Sequence, residues 1–271
     1  SVSVSASALD VSAKGMVLMN ADTGEILASK NAHLRLSMAS TTKLMTALLL
    51  AETGTPEKVV VTTKQMVTVE GSSMGLLEGD QVSYHALLAG MLLSSGNDAA
   101  NTTAIAVAGS VDKFVQMMND RAEQIGMTNT HFVTPSGLDD DEHYSTAYDM
   151  ALLGRYAMQN QKFREIVSAQ YWDVPPTNKD SDGYHLENAN RLIHKGEKDT
   201  QSYATGIKTG DTDQAGRCIV ASARKDGVEL ICVLFGDPQG DKYRYTRFEN
   251  APKFFNWGFE NYSSVSVSEL N

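Results

Sequence analysis

Three short segments, Ser40-Thr41-Thr42-Lys43, Ser95-Gly96-Asn97 and Lys208-Thr209-Gly210, constrain this chain more than any other feature, because their chemistry makes sense only if the fold brings them together. A serine hydroxyl is a weak nucleophile at neutral pH and needs a base within hydrogen-bond reach. In Ser-x-x-Lys on a helix, the lysine lies about one turn on and on the same face. An ammonium of ordinary pKa, about 10.4, becomes a base only where burial and a neighbouring cation lower that value. Lys43 therefore needs a second positive charge nearby, and Lys208 is the evident source. Ser95 between the two lysines suits a proton relay. The Asn97 amide offers a donor and an acceptor to a peptide group.

Each fragment alone is weak evidence. Ser-x-x-Lys recurs at Ser110-Val111-Asp112-Lys113 and at Ser222-Ala223-Arg224-Lys225, and Ser-x-Asn at Ser29-Lys30-Asn31. Ser110 reads as the N-cap of a helix. Ser222 reads as part of an alternating strand, where serine and lysine share no helical face. Only the ordered trio is specific.

Local sequence supplies a setting for each motif. Residues 41–52 are strongly helix-forming, with Leu44, Met45, Ala47, Leu48 and Ala51 apolar, so Ser40 falls at the helix's N-terminal edge, where its N–H can face a developing oxyanion. Ser95-Gly96-Asn97 separates apolar helical runs over 84–93 and 98–107, and further helices are expected over 111–125 and 147–159, the last with a capping box at Thr146 and Asp149. Strands are expected at 15–19 and 25–29, and again at 203–208, 216–224 and 228–236, followed by a helix over 243–260. Lys208-Thr209-Gly210 would end its strand, the glycine allowing another backbone to approach. The expected class is α/β of the α+β kind: one antiparallel sheet with strands from both chain ends, flanked by helices, plus an inserted, mostly helical lobe over about 64–170. The unit spans 13–262, and segments 1–12 and 263–271 are expected to be poorly ordered or to lie on the surface. All three motifs would meet in the cleft between sheet edge and lobe.

Composition narrows the function. With 271 residues, 42% of them hydrophobic, the chain can bury a sizeable core. A net charge of -10 argues against nucleic acid and anionic membrane surfaces as partners. No apolar run approaches the roughly 20 residues of a membrane span, and no signal peptide is present, so the chain reads as a mature or trimmed soluble domain. The histidines show no metal-binding spacing, so neither a metal nor a cofactor is expected. Gly-x-Ser-x-Gly is absent, which removes the usual signature of Ser-His-Asp hydrolases. Asp139-Asp140-Asp141-Glu142 reads as a solvated loop rather than a calcium site. Cys218 and Cys232 fall on neighbouring strands. A turn at Lys225-Asp226-Gly227 would put them at same-face, diagonal positions that suit a bridge poorly, so two free buried thiols are expected.

In these motifs the chain resembles the penicillin-binding proteins and serine β-lactamases. From Met16 to Tyr262 it is similar to the low-molecular-mass D-alanyl-D-alanine carboxypeptidases. The signatures are Ser37 to Thr46, Ser95 to Ala99, Asn129 to Phe132 with Gly137-Leu138-Asp139, Gly206 to Gly216, and Trp257-Gly258-Phe259. The resemblance implies a β-lactamase/transpeptidase-like fold and a bacterial serine hydrolase that removes the terminal D-Ala from peptidoglycan stem peptides ending in D-Ala-D-Ala. Reaction would pass through an acyl-enzyme on Ser40, and β-lactam antibiotics would acylate the same residue. Ser40, Lys43 and Ser95 would be catalytic; Asn97, Lys208, Thr209, Gly210, Asp211 and Arg247 would bind substrate. The amides of Ser40 and Asp211 would form the oxyanion hole, and Arg247, or more weakly Arg191, would hold the substrate's terminal carboxylate. The implied location is extracytoplasmic, at the cell envelope, with membrane contact only through an anchor outside this chain.

Two departures from the family pattern stand out. Met38 occupies a position where many relatives carry proline, and Asp211 puts a carboxylate near an anionic substrate, which is unhelpful unless it is paired or points away. Two alternatives accompany this reading. One is a serine β-lactamase, disfavoured because no Glu-x-x-x-Asn lies between Ser95 and Lys208. The other is a non-hydrolysing penicillin-binding or wall-binding protein, disfavoured by the intact trio.

Overall fold

A computed structural model describes residues 4–5, 11–196 and 201–262. Its main sheet has the order β1 (Val4–Ser5), β3 (Ile26–Lys30), β2 (Gly15–Asn20), β10 (Val228–Asp237), β9 (Gly216–Lys225), β8 (Ala204–Thr212). All pairings are antiparallel except that of β1 with β3. Strands from both ends of the chain thus share one sheet, joined where β2 lies beside β10. Every residue of β10 is buried, which explains why Leu230 to Phe235 is an unbroken apolar run rather than an alternation: both faces of the sheet are covered.

The two faces bury different residues. Val17, Met19, Ile231, Val233 and Phe235 pack against the helices that follow β3, including Leu44 and Leu48 of α1 (Lys43–Glu52) and Met150 and Leu153 of α6 (Ala147–Ala157). Met16, Leu18, Leu230, Cys232 and Leu234 pack against Phe248, Ala251, Phe254 and Phe255 of α8 (Thr246–Asn261). Residues two apart on a strand and three or four apart on a helix share a face, so each element reads out its own period. Between α1 and α6 run α2 (Lys64–Val67), α3 (Tyr84–Leu92), α4 (Asn97–Ala108) and α5 (Val111–Ile125); all of α3 except His85 is buried, which places it at the centre of this layer. Among the described residues no helix is long and apolar enough to cross a membrane.

Several expectations change. Lys208-Thr209-Gly210 lies within β8, which continues to Thr212, rather than at its end. The final helix starts at Thr246, after a short 3-10 turn over Asp241–Tyr243. Two small two-stranded antiparallel sheets, β4 (Val59–Val61) with β5 (Gln81–Ser83) and β6 (Tyr171–Val174) with β7 (Tyr184–Glu187), were not foreseen, and neither was α7 (Gln161–Val167). Within the segment 1–12, Val4 and Ser5 form β1 and Val11 is buried in the α8-side core; residues 1–3, 6–10 and 263–271 lie outside the described residues. Thr146 caps α6 by accepting from the amide of Asp149, but the box is one-sided because Asp149 turns its carboxylate to the Asn129 amide and the Thr130 hydroxyl.

The cysteines require a correction. The β9–β10 connection is a two-residue turn at Asp226-Gly227, with φ of +50° and +80°, and it pairs Lys225 with Val228. Such turns match the twist of the strands they join. Cys232 therefore stands opposite Ala221, an odd number of positions from Cys218, and the two thiols face opposite cores. A three-residue turn would have put them on one face.

Candidate active site

Ser40 sits in a 3-10 turn, Ala39–Thr42, that runs directly into α1. Ala39 adopts φ +50°, an uncommon conformation for a residue with a Cβ, so the surroundings must hold it there. Part of that support is Gly137, at φ +97°, which packs so closely that a Cβ would fall 2.0 Å from the Ala39 carbonyl oxygen. Thr42 Oγ1 lies 2.8 Å from His143 Nε2. Nδ1 of the same ring accepts from the Val133 amide at 2.8 Å, so Nε2 carries the proton and donates to Thr42. Lys43, the first residue of α1, extends its Nζ to 2.8 Å from Ser40 Oγ, 3.3 Å from Ser95 Oγ and 2.9 Å from the carbonyl of Ser136.

The second motif turns the chain from α3 into α4. Ser95 has φ +57°, another non-glycine residue in left-handed conformation. Asn97 Nδ2 donates to the Glu70 carbonyl at 2.7 Å and its backbone amide to Ser72 at 2.8 Å, tying the motif to the loop before α3. Asp98, fully buried, fastens that loop: its carboxylate accepts from the amides of Met74, Gly75 and Leu76 and from the Ser73 hydroxyl. A groove of about 470 Å³, lined in part by Glu70, Asn97, Ser136 and Leu138, opens beside these residues. A larger cavity of about 520 Å³, whose lining includes Leu50, Tyr84 and Lys162, contains none of the motif residues.

The third motif arrives on β8. Gly210 is required here because a Cβ at this position would lie 2.7 Å from the Ser40 amide nitrogen and 3.0 Å from that of Thr41. Its absence lets the strand pass directly against the serine turn. Lys208 Nζ donates to Ser95 Oγ at 3.1 Å and to its neighbour's carbonyl, Thr209 O, at 2.8 Å. Ser95 Oγ thus bridges two lysines, both essentially without solvent exposure.

That burial sets the electrostatics. Desolvation, with the charge of Lys208 adding to it and that of Asp98 opposing it, holds Lys43 well below the ordinary lysine pKa. Lys208 is brought down to about 7, first by burial and then by Arg247, with Asp211 opposing. A lysine amine in hydrogen-bond contact with a serine hydroxyl, its hold on its own proton weakened by burial, can take that hydroxyl's proton when it is neutral.

Ser40, Lys43, Ser95, Asn97, Lys208, Thr209 and Gly210 are therefore drawn to one place. Asp211 and Arg247 are adjacent, but their arrangement differs from expectation: Arg247 Nη1 and Nη2 grip the Asp211 carboxylate at 2.7 and 3.0 Å, and Nη1 also donates to the carbonyls of Gly210 and Cys218. The guanidinium fork is already occupied. Arg191 instead lies with its guanidinium 4.8 Å from the centre of the Tyr245 ring. The acidic run is exposed as expected, and Asp139 also accepts from the Thr212 hydroxyl and the Gln214 amide and so holds the β8–β9 turn.

Residues that motif reasoning missed are Ser136, His143 and Asp98. Asp98 follows Asn97 directly, and a charged residue heading the apolar helical run Asp98 to Val107 was the available signal. Nothing local marks Ser136, which contributes only a carbonyl, or His143, which acts through the far side of the serine turn.

Known proteins bear out the resemblance. The sequence profile of the D-alanyl-D-alanine carboxypeptidases, peptidase S11, matches residues 2–239. The chain is 36% identical over 229 residues to D-alanyl-D-alanine carboxypeptidase DacF of Bacillus subtilis, covering 83% of this chain and 57% of that protein. It is 35% identical to DacC of Escherichia coli, covering 94% and 63% respectively, so it spans about three fifths of the length of these relatives. Among solved structures it is similar to the D-alanyl-D-alanine carboxypeptidase of Mycobacterium tuberculosis, with 31% identity, a TM-score of 0.85 and 95% of each chain covered. It is likewise similar to the Streptomyces K15 DD-transpeptidase, with 30% identity, a TM-score of 0.84 and 93% and 98% covered. The fold is that of the penicillin-binding DD-peptidases, and the chain belongs to the D-alanyl-D-alanine carboxypeptidase family, peptidase S11.

Proposed function

We propose that residues 13–262 form the catalytic domain of a serine D-Ala-D-Ala carboxypeptidase, and that it removes the terminal D-Ala of peptidoglycan stem peptides at the cell envelope. The observation that carries this reading is Lys43 Nζ standing within hydrogen-bond distance of both Ser40 Oγ and Ser95 Oγ, with Lys208 on the other side of Ser95. A neutral amine donates two hydrogen bonds and accepts one. Ser95 Oγ and the Ser136 carbonyl take the two donors, which aims the lone pair at the Ser40 hydroxyl.

Ser40 Oγ attacks the carbonyl between the two D-alanines as its proton passes to Lys43. The amides of Ser40 and Asp211 receive the oxyanion, a contribution of about 3 kcal/mol per donor in comparable sites. The close passage of β8 over the serine turn supports this pairing. Ser95, flanked by the two lysines, relays the proton to the departing amine. The D-Ala leaves, and water then hydrolyses the acyl-enzyme, regenerating Ser40 and releasing the shortened peptide. Asn97 and Thr209 hold the peptide and its terminus by hydrogen bonds. β-Lactams, which present a similar acyl group, acylate Ser40.

The test is D-alanine release from diacetyl-Lys-D-Ala-D-Ala, with benzylpenicillin labelling read by mass spectrometry. Release by the parent chain, its loss in Ser40→Ala, and a single penicilloyl adduct on the Ser40 peptide are expected. An unchanged rate in Ser40→Ala, or no adduct, would sink the mechanism.

A further inference from the structure

Asp211 contributes its amide to the chemistry above; its side chain meets none of the reacting groups, and its charge reaches the site only by helping Lys208 keep its proton. The side chain is 48% exposed, whereas that of Arg247, reaching it from α8, is only 7% exposed. Solvent therefore meets the carboxylate with the cation packed behind it. The contact is a two-pronged one, Nη1 to Oδ1 and Nη2 to Oδ2, which is the geometry by which a guanidinium grips any carboxylate. Nη1 is further committed to two backbone carbonyls. An incoming carboxylate finds its natural site filled by one that the chain itself supplies, one residue beyond the glycine that touches the Ser40 amide. The remaining nearby cation, Lys208, is buried and carries a weakened hold on its proton, so it adds little fixed charge above neutral pH.

Resting on the carboxypeptidase reading, we propose that Asp211 is a specificity-determining residue for the leaving group: by filling the fork of Arg247 it removes the cation that would favour a free C-terminal carboxylate. The chain then cleaves ahead of a neutral C-terminal group, such as a C-terminal amide or the next peptide bond of a longer chain, nearly as readily as ahead of a free acid. Asp211→Asn keeps an oxygen facing Nη1, so Arg247 is not stranded, while the competing negative charge is gone.

The experiment compares kcat/KM for diacetyl-Lys-D-Ala-D-Ala and for its C-terminal amide. In Asp211→Asn the acid-to-amide ratio is expected to rise at least tenfold, mainly through a lower KM for the acid. Adding Arg247→Gln should return the ratio to its starting value. A smaller rise, or parallel losses on both peptides at unchanged Tm, overturns the proposal, because a purely structural pair would affect both substrates alike. Should the parent chain release neither D-alanine from the acid nor D-alaninamide from the amide, the carboxypeptidase reading fails separately. The same ratio is then taken from Ser40 acylation by benzylpenicillin and by its methyl ester, where a ratio unmoved by Asp211→Asn, or no acylation at all, overturns it.

Discussion

At the scale of single residues, this site is governed by what burial does to two amines. Lys43 and Lys208 lie within reach of one hydroxyl, Ser95 Oγ, and both are shut away from water, so desolvation disfavours both charges, with Lys208 adding to the effect on Lys43 and Arg247 to that on Lys208. A base must be neutral to act, so activity rises with pH as Lys43 loses its proton, and it falls again as Lys208, held at about 7, loses the charge that assists Ser95. The limbs belong to the coupled pair rather than to either residue alone. Lys208→Gln removes a cation that lowers the Lys43 pKa, so the rising limb of kcat/KM should move to higher pH, the falling limb near 7 should vanish, and the maximum should drop roughly 100-fold. A variant with a lower rate but an unshifted profile would disprove this coupling. The pairing of Ser40 with Lys43 was legible in sequence because three-residue spacing puts both on one helical face. The pairing of Asp211 with Arg247 was not, since 36 positions separate them and only the meeting of β8 with α8 joins them.

At the scale of elements, the serine turn is held from behind by the loop that carries His143. That ring is neutral, donating to Thr42 and accepting from the Val133 amide, and burial lowers its pKa to about 4, with Asp140 and Asp139 opposing and His131 adding to the effect. Between pH 6.5 and about 4 the unfolded chain binds a proton here that the folded chain refuses, so stability falls as pH falls through that window. The loss is about 3 kcal/mol at its low end. Urea unfolding at a series of pH values should show His143→Gln losing correspondingly less stability than the parent chain over this range. Parallel curves would remove His143 from the account. The helices and strands themselves were legible from their periods, and the Ser110 cap from its position: its hydroxyl accepts from the Lys113 amide as expected. Element ends were less so. β8 runs on to Thr212 because β9 pairs with it as far as Gly216, a tertiary reason that no local pattern carries.

At the scale of the whole molecule, one sheet divides two cores, and each cysteine belongs to one of them. Burial raises the Cys218 thiol to about 12 and pushes Cys232 up as well, so neither is a thiolate at neutral pH. Alkylation at pH 8 should leave both unmodified in the folded chain and modify both in guanidinium, and reductant should not change Tm. Rapid labelling of the folded chain would contradict the burial of both thiols. The sequence by itself determined the chemistry and the strand composition: a serine with a lysine one turn on, a second serine, a second lysine, and an apolar run fit only for a doubly covered strand. These depend on residue type and on spacings shorter than one turn of helix, which bond geometry converts directly into direction. Only the tertiary structure decided that Ser95 bridges both lysines, that Gly210 touches the Ser40 amide, that Asp211 fills Arg247, and that the cysteines face apart. Each of these turns on register and on loop paths between distant segments, where a shift of one residue in a turn reverses which side chains meet.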